Sequence, residues 1–526
     1  MYDFLVEKIN RLIYVPTEGM VHPGLSAGWV IVAVVAMLMI SLSLSLLSPV
    51  MGGQIKSISL SQWPLVKRIL NPVLTRPWIL SALRVFTACV FLLVIYAGLF
   101  GTPIPERNIA TVLTWTVWWS AVIASVFFVG SAWCAICPWD AISTWLVRRR
   151  LWKRGRIENS LNIRVPKIFR SVWPALFMFV ALTWLELGAG VTTSPYATAL
   201  MALLMVVLAT VSLAVYERKA FCRYFCAVGR TIGAYSAMSP IALRSIDEQT
   251  CAECKTLECY YGTDDVEPCP TYLVLGRIEQ NTYCTSCGTC AKSCPKENVS
   301  WRLRPVGDEI IRASRPHWDE AWFILGLLSL TLFHGFTMMP YWEGWMRQLA
   351  YVLGDSGQLL ISFSVGMFVS MLIPVMLFVA TIRLMRKLGN IQDEWQRIFS
   401  SLAFSLLPLA FSYHIAHNLT HLVRESRGFW SVALNPTGID TLPLSMHEIH
   451  IRHMNPLVAD NIIFALQALL VIFGFWLAVR IARYRVLQLT GETYRFQRAL
   501  LPVLVFISLI SLINLWLLMQ PMIMRM

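Results

Sequence analysis

The sequence predicts an all-α polytopic membrane protein of about ten transmembrane helices, interrupted by a small inserted α+β module. Three observations carry that expectation. Of 526 residues, 56% are hydrophobic and 14% charged, too apolar a balance for a soluble chain of this length. Ten apolar runs, at about 27–48, 78–100, 110–131, 171–190, 197–216, 319–338, 357–381, 398–422, 461–483 and 499–520, approach or exceed the ~20 residues a bilayer core requires. The stretch 217–318 is the one sizeable hydrophilic segment, and eight closely spaced cysteines lie within it. The chain thus divides into a five-helix half (1–216), the insert (217–318) and a second five-helix half (319–526).

The first run is too long for the apolar region of a signal peptide, and no small-x-small cleavage site follows Ser48 and Pro49, so it reads as a retained anchor. Lys and Arg concentrate on the cytoplasmic side of membrane proteins. Lys56, Lys67, Arg68 and Arg76 follow the first run without an acid. Arg148, Arg149, Arg150, Lys153, Arg154, Arg156, Arg164, Lys167 and Arg170 follow the third, against Asp140 and Glu158. The basic stretches from Arg383 to Arg397 and from Arg480 to Arg498 fall on the same side. The expected placement is a bacterial inner membrane, with both termini periplasmic and the insert cytoplasmic. The net charge of +14 sits at membrane edges, where topology and anionic lipid account for it, and this argues against a nucleic-acid partner.

Within the insert, Cys284, Cys287, Cys290, Cys294 and Pro295 make the run C-x2-C-x2-C-x3-C-P. This is the bacterial ferredoxin spacing, in which the fourth cysteine serves a second cluster. The second set lies upstream as Cys251, Cys254, Cys259 and Cys269, stretched to C-x2-C-x4-C-x9-C-P. The crossing rule assigns Cys251, Cys254, Cys259 and Cys294 to one 4Fe-4S cluster, and Cys284, Cys287, Cys290 and Cys269 to another. The module is therefore expected to be a two-cluster ferredoxin-like unit. Structural zinc is the competing chemistry for paired cysteines, but zinc sites rarely show this run. Acids such as Asp247, Glu248, Glu253, Glu258, Asp264, Asp265 and Glu267 make either a solvated loop or a rim for a basic redox partner.

The N-terminal half carries a weak repeat. One hairpin ends in Trp133, Cys134, Ala135, Ile136, Cys137 and Pro138, and the next in Phe221, Cys222, Arg223, Tyr224, Phe225 and Cys226. Cys134, Cys137, Cys222 and Cys226 thus reach one membrane face, where they can hold a further cluster, tune the other two, or simply pack. Cys89, alone in the second run, reads as packing. Two such hairpins followed by a two-cluster module resemble the membrane polyferredoxins of the NapH, NosR and CcoG type, over roughly residues 78–300. That resemblance implies a cytoplasmic electron relay beside a membrane domain, serving quinol oxidation, upkeep of a periplasmic metalloenzyme or copper handling for an oxidase. The chain departs from the family's pattern: the first pair is C-x2-C-P rather than C-x3-C-P, Ala227 replaces a proline, and no Ser-Gly-Ala-Thr flavin-attachment sequence occurs.

In the eighth run, His414, His417 and His421 fall at i, i+3 and i+7, on one helix face. His334 lies near the far end of the sixth run, and His447, His450 and His453 follow the eighth. Imidazoles in apolar helices are costly unless they bond, ligate or line water. His334, His414, His417 and His421 can clamp a b-type haem, bind copper, or hydrogen-bond across helices. Met519, Met522, Met524 and Met526 read as packing or as soft copper ligands. Glu186 reads as a headgroup-level acid or a quinol and proton site.

The sequence therefore leads to an integral membrane electron-transfer protein, a subunit rather than a stand-alone enzyme. It is expected to relay electrons between a quinone pool or cytoplasmic donor and a periplasmic-side redox centre, with other redox subunits as partners. A copper reductase or a maturation factor for a respiratory metalloenzyme is the alternative.

Overall fold

A computed structural model describes residues 21–46, 57–65, 68, 72–73, 76–148, 159–315, 317–454, 457–491 and 493–523. Lys56, Lys67, Arg149, Arg150, Lys153, Arg154, Arg156, Glu158, Met524 and Met526 lie outside the described residues.

The apolar runs fold as helices, the form in which an apolar segment satisfies its own backbone polar groups. In the first half these are α1 (Ala27–Leu46), α2 (Pro77–Phe100), α3 (Ile109–Val129), α4 (Pro138–Arg148), α5 (Trp173–Leu187), α6 (Pro195–Val215) and α7 (Ala227–Ser236). In the second they are α8 (Trp318–Thr337), α9 (Pro340–Leu353), α10 (Leu360–Gly389), α11 (Trp395–Ala403), α12 (Leu406–Glu425), α13 (Asp460–Thr490) and α14 (Thr493–Met519). Pro77 and Pro195 start α2 and α6, where a missing N–H costs nothing.

Among the described residues nine helical segments, not ten, are long and apolar enough to cross a membrane, which fits a multi-pass membrane protein. The run at 171–190 forms only the 15 residues of α5, because Gly188 and the left-handed Gly190 end the helix. The run at 398–422 breaks between α11 and α12 at Phe404 and Ser405. His447 lies on a further short helix, Met446–Met454, rather than in a loop.

Packing sorts the helices. α8 and α12 are enclosed nearly all round, whereas α1, α2 and α10 leave large apolar side chains such as Leu38, Phe86 and Phe368 exposed. An apolar belt around a buried centre is the pattern lipid requires.

A three-stranded antiparallel sheet lies within the cysteine module, in the order Ile58–Ser59, Val299–Leu303, Ile241–Ser245. The edge strand Ile58–Ser59 is thus drawn from ahead of residue 217. The module is tied to the helices by buried polar contacts. Arg485 of α13 donates to the carbonyls of Ile310 (2.6 Å) and Ser314 (2.9 Å). Glu309 takes Arg244 at 2.9 Å and also Arg304.

Candidate functional site

All thirteen cysteines are free thiols. Their mutual influence sorts the module's eight into two sets. Burial raises the Cys251 and Cys259 thiols; Cys294 and Cys254 add to the first, and Cys251, Cys254 and Cys294 to the second. Burial likewise pushes Cys284 up to about 11, with Cys287 and Cys269 adding. Cys290 is raised well above its ordinary value by burial and by Cys287, Cys284 and Cys269. Each group contains three cysteines of one sequence run and the last cysteine of the other, and Cys290 also feels Cys259 across the two groups.

Local structure presents these thiols. Asp247 caps the short helix Glu248–Ala252 that carries Cys251, accepting from the Thr250 amide at 2.8 Å. The left-handed Gly288 (φ +69°) opens the helix Thr289–Ser293 that carries Cys290. The Leu273 amide donates to Cys269 Sγ at 3.3 Å and Asn298 Nδ2 to Cys251 Sγ at 3.4 Å. Donors of this kind tune sulfur-ligated metal. A Cβ at Gly276 would stand 3.3 Å from Cys251 Sγ, so the backbone there is kept bare beside the sulfur. Among the described residues, no group of three or more His, Cys, Asp or Glu side chains closes on a single-ion position. A cubane, with its irons and sulfides inside the thiolates, needs a wider cradle than one ion.

The four other cysteines at this face also come together. Cys137 and Cys222 are raised well above their ordinary values and Cys226 is raised, first by burial, with Cys226 acting on both Cys137 and Cys222. Cys134, pushed up to about 12 by burial, feels Cys226 and also Cys284. The left-handed Gly130 (φ +57°) ends α3 and turns the chain into Trp133–Ile136. Arg84 Nε and Thr87 Oγ1 of α2 then hold the carbonyls of Ala135 (2.7 Å) and Ile136 (2.6 Å). Lys219 Nζ meets Asp140 Oδ2 at 2.5 Å, joining the two cysteine hairpins, and Cys226 Sγ accepts from the Gly229 amide at 3.2 Å at the start of α7.

Sequence reasoning missed Arg230. This buried cation donates to the Thr282 carbonyl at 3.0 Å and lies 4.8 Å over the Tyr283 ring, acting electrostatically on Cys134 and Cys226. Its Nε makes no hydrogen bond. A buried guanidinium calls for nearby negative charge, which thiolate-held iron and sulfide would provide. Only the context beyond the motif, a basic residue four positions after Cys226, could have drawn attention to it.

Above this quartet, a cavity of about 330 Å³ opens among α2, α3, α5 and α6. Trp118, Trp119, Trp133 and Trp139 form aromatic walls, and Pro138 and Ala227, each next to a cysteine, form its floor. Its sole carboxylate is Glu186.

His334, His417 and His421 lie beside that cavity as a connected series, and His414 lies against Trp119 of its wall. Tyr235 of α7 meets His414 Nδ1 at 3.2 Å, and the Trp119 ring lies tilted at 51° to the same imidazole with centroids 5.5 Å apart. His334 Nδ1 lies 3.1 Å from His417 Nε2, and His334 Nε2 lies 3.6 Å from Glu186 Oε1. His421 Nδ1 is 2.7 Å from Glu425 Oε1. Tyr235, the partner of His414, is visible only in three dimensions, whereas Glu425 stands one turn beyond His421 on the same helix.

The chain is 30% identical over 141 residues to the Escherichia coli (strain K12) protein named "Putative electron transport protein YccM". That stretch covers 26% of this chain and 37% of the relative, so the similarity spans well under half of either protein. No family model and no solved structure matches the chain.

Proposed function

We propose that the chain is an integral membrane iron-sulfur protein that carries electrons between a quinone-class lipid in the cavity and a redox partner at the outer edge of the cysteine module. Cys251, Cys254, Cys259 and Cys294 would hold one 4Fe-4S cluster, and Cys284, Cys287, Cys290 and Cys269 a second. Cys134, Cys137, Cys222 and Cys226 would hold a third group. These groups, when bound, supply one-electron transfer.

The observation that supports this reading is the serial order of the three quartets. Ser131, three residues before Cys134, donates to the Cys284 carbonyl at 2.5 Å, and Cys259, Cys290 and Cys294 pack against one apolar cluster, an order that leads from the cavity floor toward the exposed Glu253, Asp264 and Asp265. The cavity's aromatic walls, position among apolar helices and lone carboxylate suit a flat redox-active lipid. The printed name of the E. coli relative agrees with electron transport.

Anaerobic purification with metal and sulfide analysis tests the proposal. About eight irons and eight sulfides per chain are expected from two quartets, and about twelve of each if the third is filled. Stoichiometric zinc without sulfide would overturn it.

A further inference from the structure

The cavity and the far end of α12 are joined by buried and half-buried side chains that can each carry a proton. We infer that this series is a proton exit from the cavity to the membrane face opposite the cysteine module. The inference rests on the reading of the cavity as a quinol site.

The series begins at Glu186, which lines the cavity and faces His334 Nε2 at 3.6 Å. The other nitrogen of His334 meets His417 Nε2 at 3.1 Å. The His417 and His421 rings follow with centroids 5.1 Å apart, and His421 Nδ1 meets Glu425 at 2.7 Å. Thr116 of α3 donates to the second oxygen of Glu425 at 3.1 Å. Between His417 and Glu425 the helix rises roughly 12 Å, and Glu425 lies two residues before the exposed Arg427.

Two properties favour transport over packing. An imidazole has one nitrogen to receive a proton and another to release it, so a connected row of them conducts in steps. Moreover, His417 Nδ1, His421 Nε2 and the Tyr413 hydroxyl are buried and make no hydrogen bond. Three open polar atoms along one helix face are what a water needs to bridge the His417–His421 step. Packing alone gives no reason to leave them open, since each unsatisfied buried group costs about 1–3 kcal/mol.

The chemistry balances. A quinol that becomes a quinone loses two electrons and two protons. The two electrons would pass one at a time across the floor at Pro138 and Ala227 to the iron-sulfur groups proposed for the cysteine quartets and on to the redox partner, and the protons pass one after the other to Glu186 and along the histidines. Charges of opposite sign therefore depart toward opposite faces.

Two measurements on the full-length protein in liposomes test this. The first needs no turnover. With Glu186 protonated, its carboxyl infrared band, identified by its loss in Glu186→Gln, is followed after transfer to deuterated water. Exchange is expected to slow about a hundredfold in His417→Phe, with His417→Gln as the milder variant, in line with the contribution of a positioned proton carrier. The second adds a short-chain quinol and follows visible bleaching together with a pH indicator on each side. Protons are expected on the face opposite the module. Unchanged exchange in both variants, or protons on the module's own face while bleaching proceeds, overturns the inference. If quinol fails to bleach the wild-type protein, the cavity reading falls, and the exchange rates alone then decide for or against the proton path.

Discussion

His334 of α8 and His417 of α12 meet edge to face, with ring planes 88° apart and Nδ1 of the first 3.1 Å from Nε2 of the second. The contact joins two of the most enclosed helices and turns the remaining nitrogen of His334 toward Glu186. Since His417 Nδ1 makes no hydrogen bond, His334→Ala leaves that ring without a partner on either nitrogen. Destabilisation of about 1–3 kcal/mol is expected, the cost of an unsatisfied buried polar group. Thermal unfolding in detergent checks this, and an unchanged midpoint would show that the pair adds nothing to stability.

The buried Asp140–Lys219 pair joins the two cysteine hairpins. Burial alone would raise the Asp140 carboxyl, but Lys219 and Arg84 hold it below its ordinary value. A depressed value in the folded state stabilises fully above the ordinary carboxylate range and is lost as pH falls through the lowered value. Asp140→Asn leaves Lys219 as a buried, unpaired cation and is expected to cost about 3–5 kcal/mol near neutral pH. The deficit should shrink in acid, as measured by unfolding at a series of pH values.

Removing the iron and sulfide of the proposed clusters would expose differences among the thiols. The Leu257 amide and the Thr256 hydroxyl hold Cys254 below the ordinary thiol value, whereas burial and four other cysteines raise Cys290 well above it. In the apoprotein, Cys254 is expected to be alkylated at a lower pH than Cys290, because the thiolate is the reactive form. Mass spectrometry after brief iodoacetamide treatment gives the order. Before removal, neither residue should react.

Gly276 lies where an added Cβ would sit 2.5 Å from Cys251 Cβ. Gly276→Ala is therefore expected to displace Cys251 and remove about four irons per chain. Gly344→Ala, where a Cβ meets nothing within 4 Å, should keep them all. Iron analysis of the two variants side by side makes the comparison.

Much of this architecture was legible in the sequence because composition and spacing act locally. Apolar runs marked the helices, and the interval from Cys284 to Pro295 is the one on which the proposed chemistry rests. The shortness of α5 was not legible, since Leu187 and Val191 continue the apolar pattern across glycines that end the helix. Nor was the strand at Ile58–Ser59, whose partner Val299–Leu303 lies more than two hundred residues away. For the histidines, helical spacing placed His414, His417 and His421 on one face but gave no sign of their neighbours. Tyr235, Glu186 and His334 come from other helices, and only packing joins His334 to His417 and His421 as a connected series.

The claim that electrons pass between the membrane cavity and the cysteine module is tested most directly by electron paramagnetic resonance of anaerobic membranes mixed with a short-chain quinol. The expected result is reduced-cluster signals that appear on addition of quinol in the wild type and fall when Cys287→Ala removes one ligand. Signals that dithionite produces but quinol never does, or signals that Cys287→Ala leaves unchanged, would contradict it.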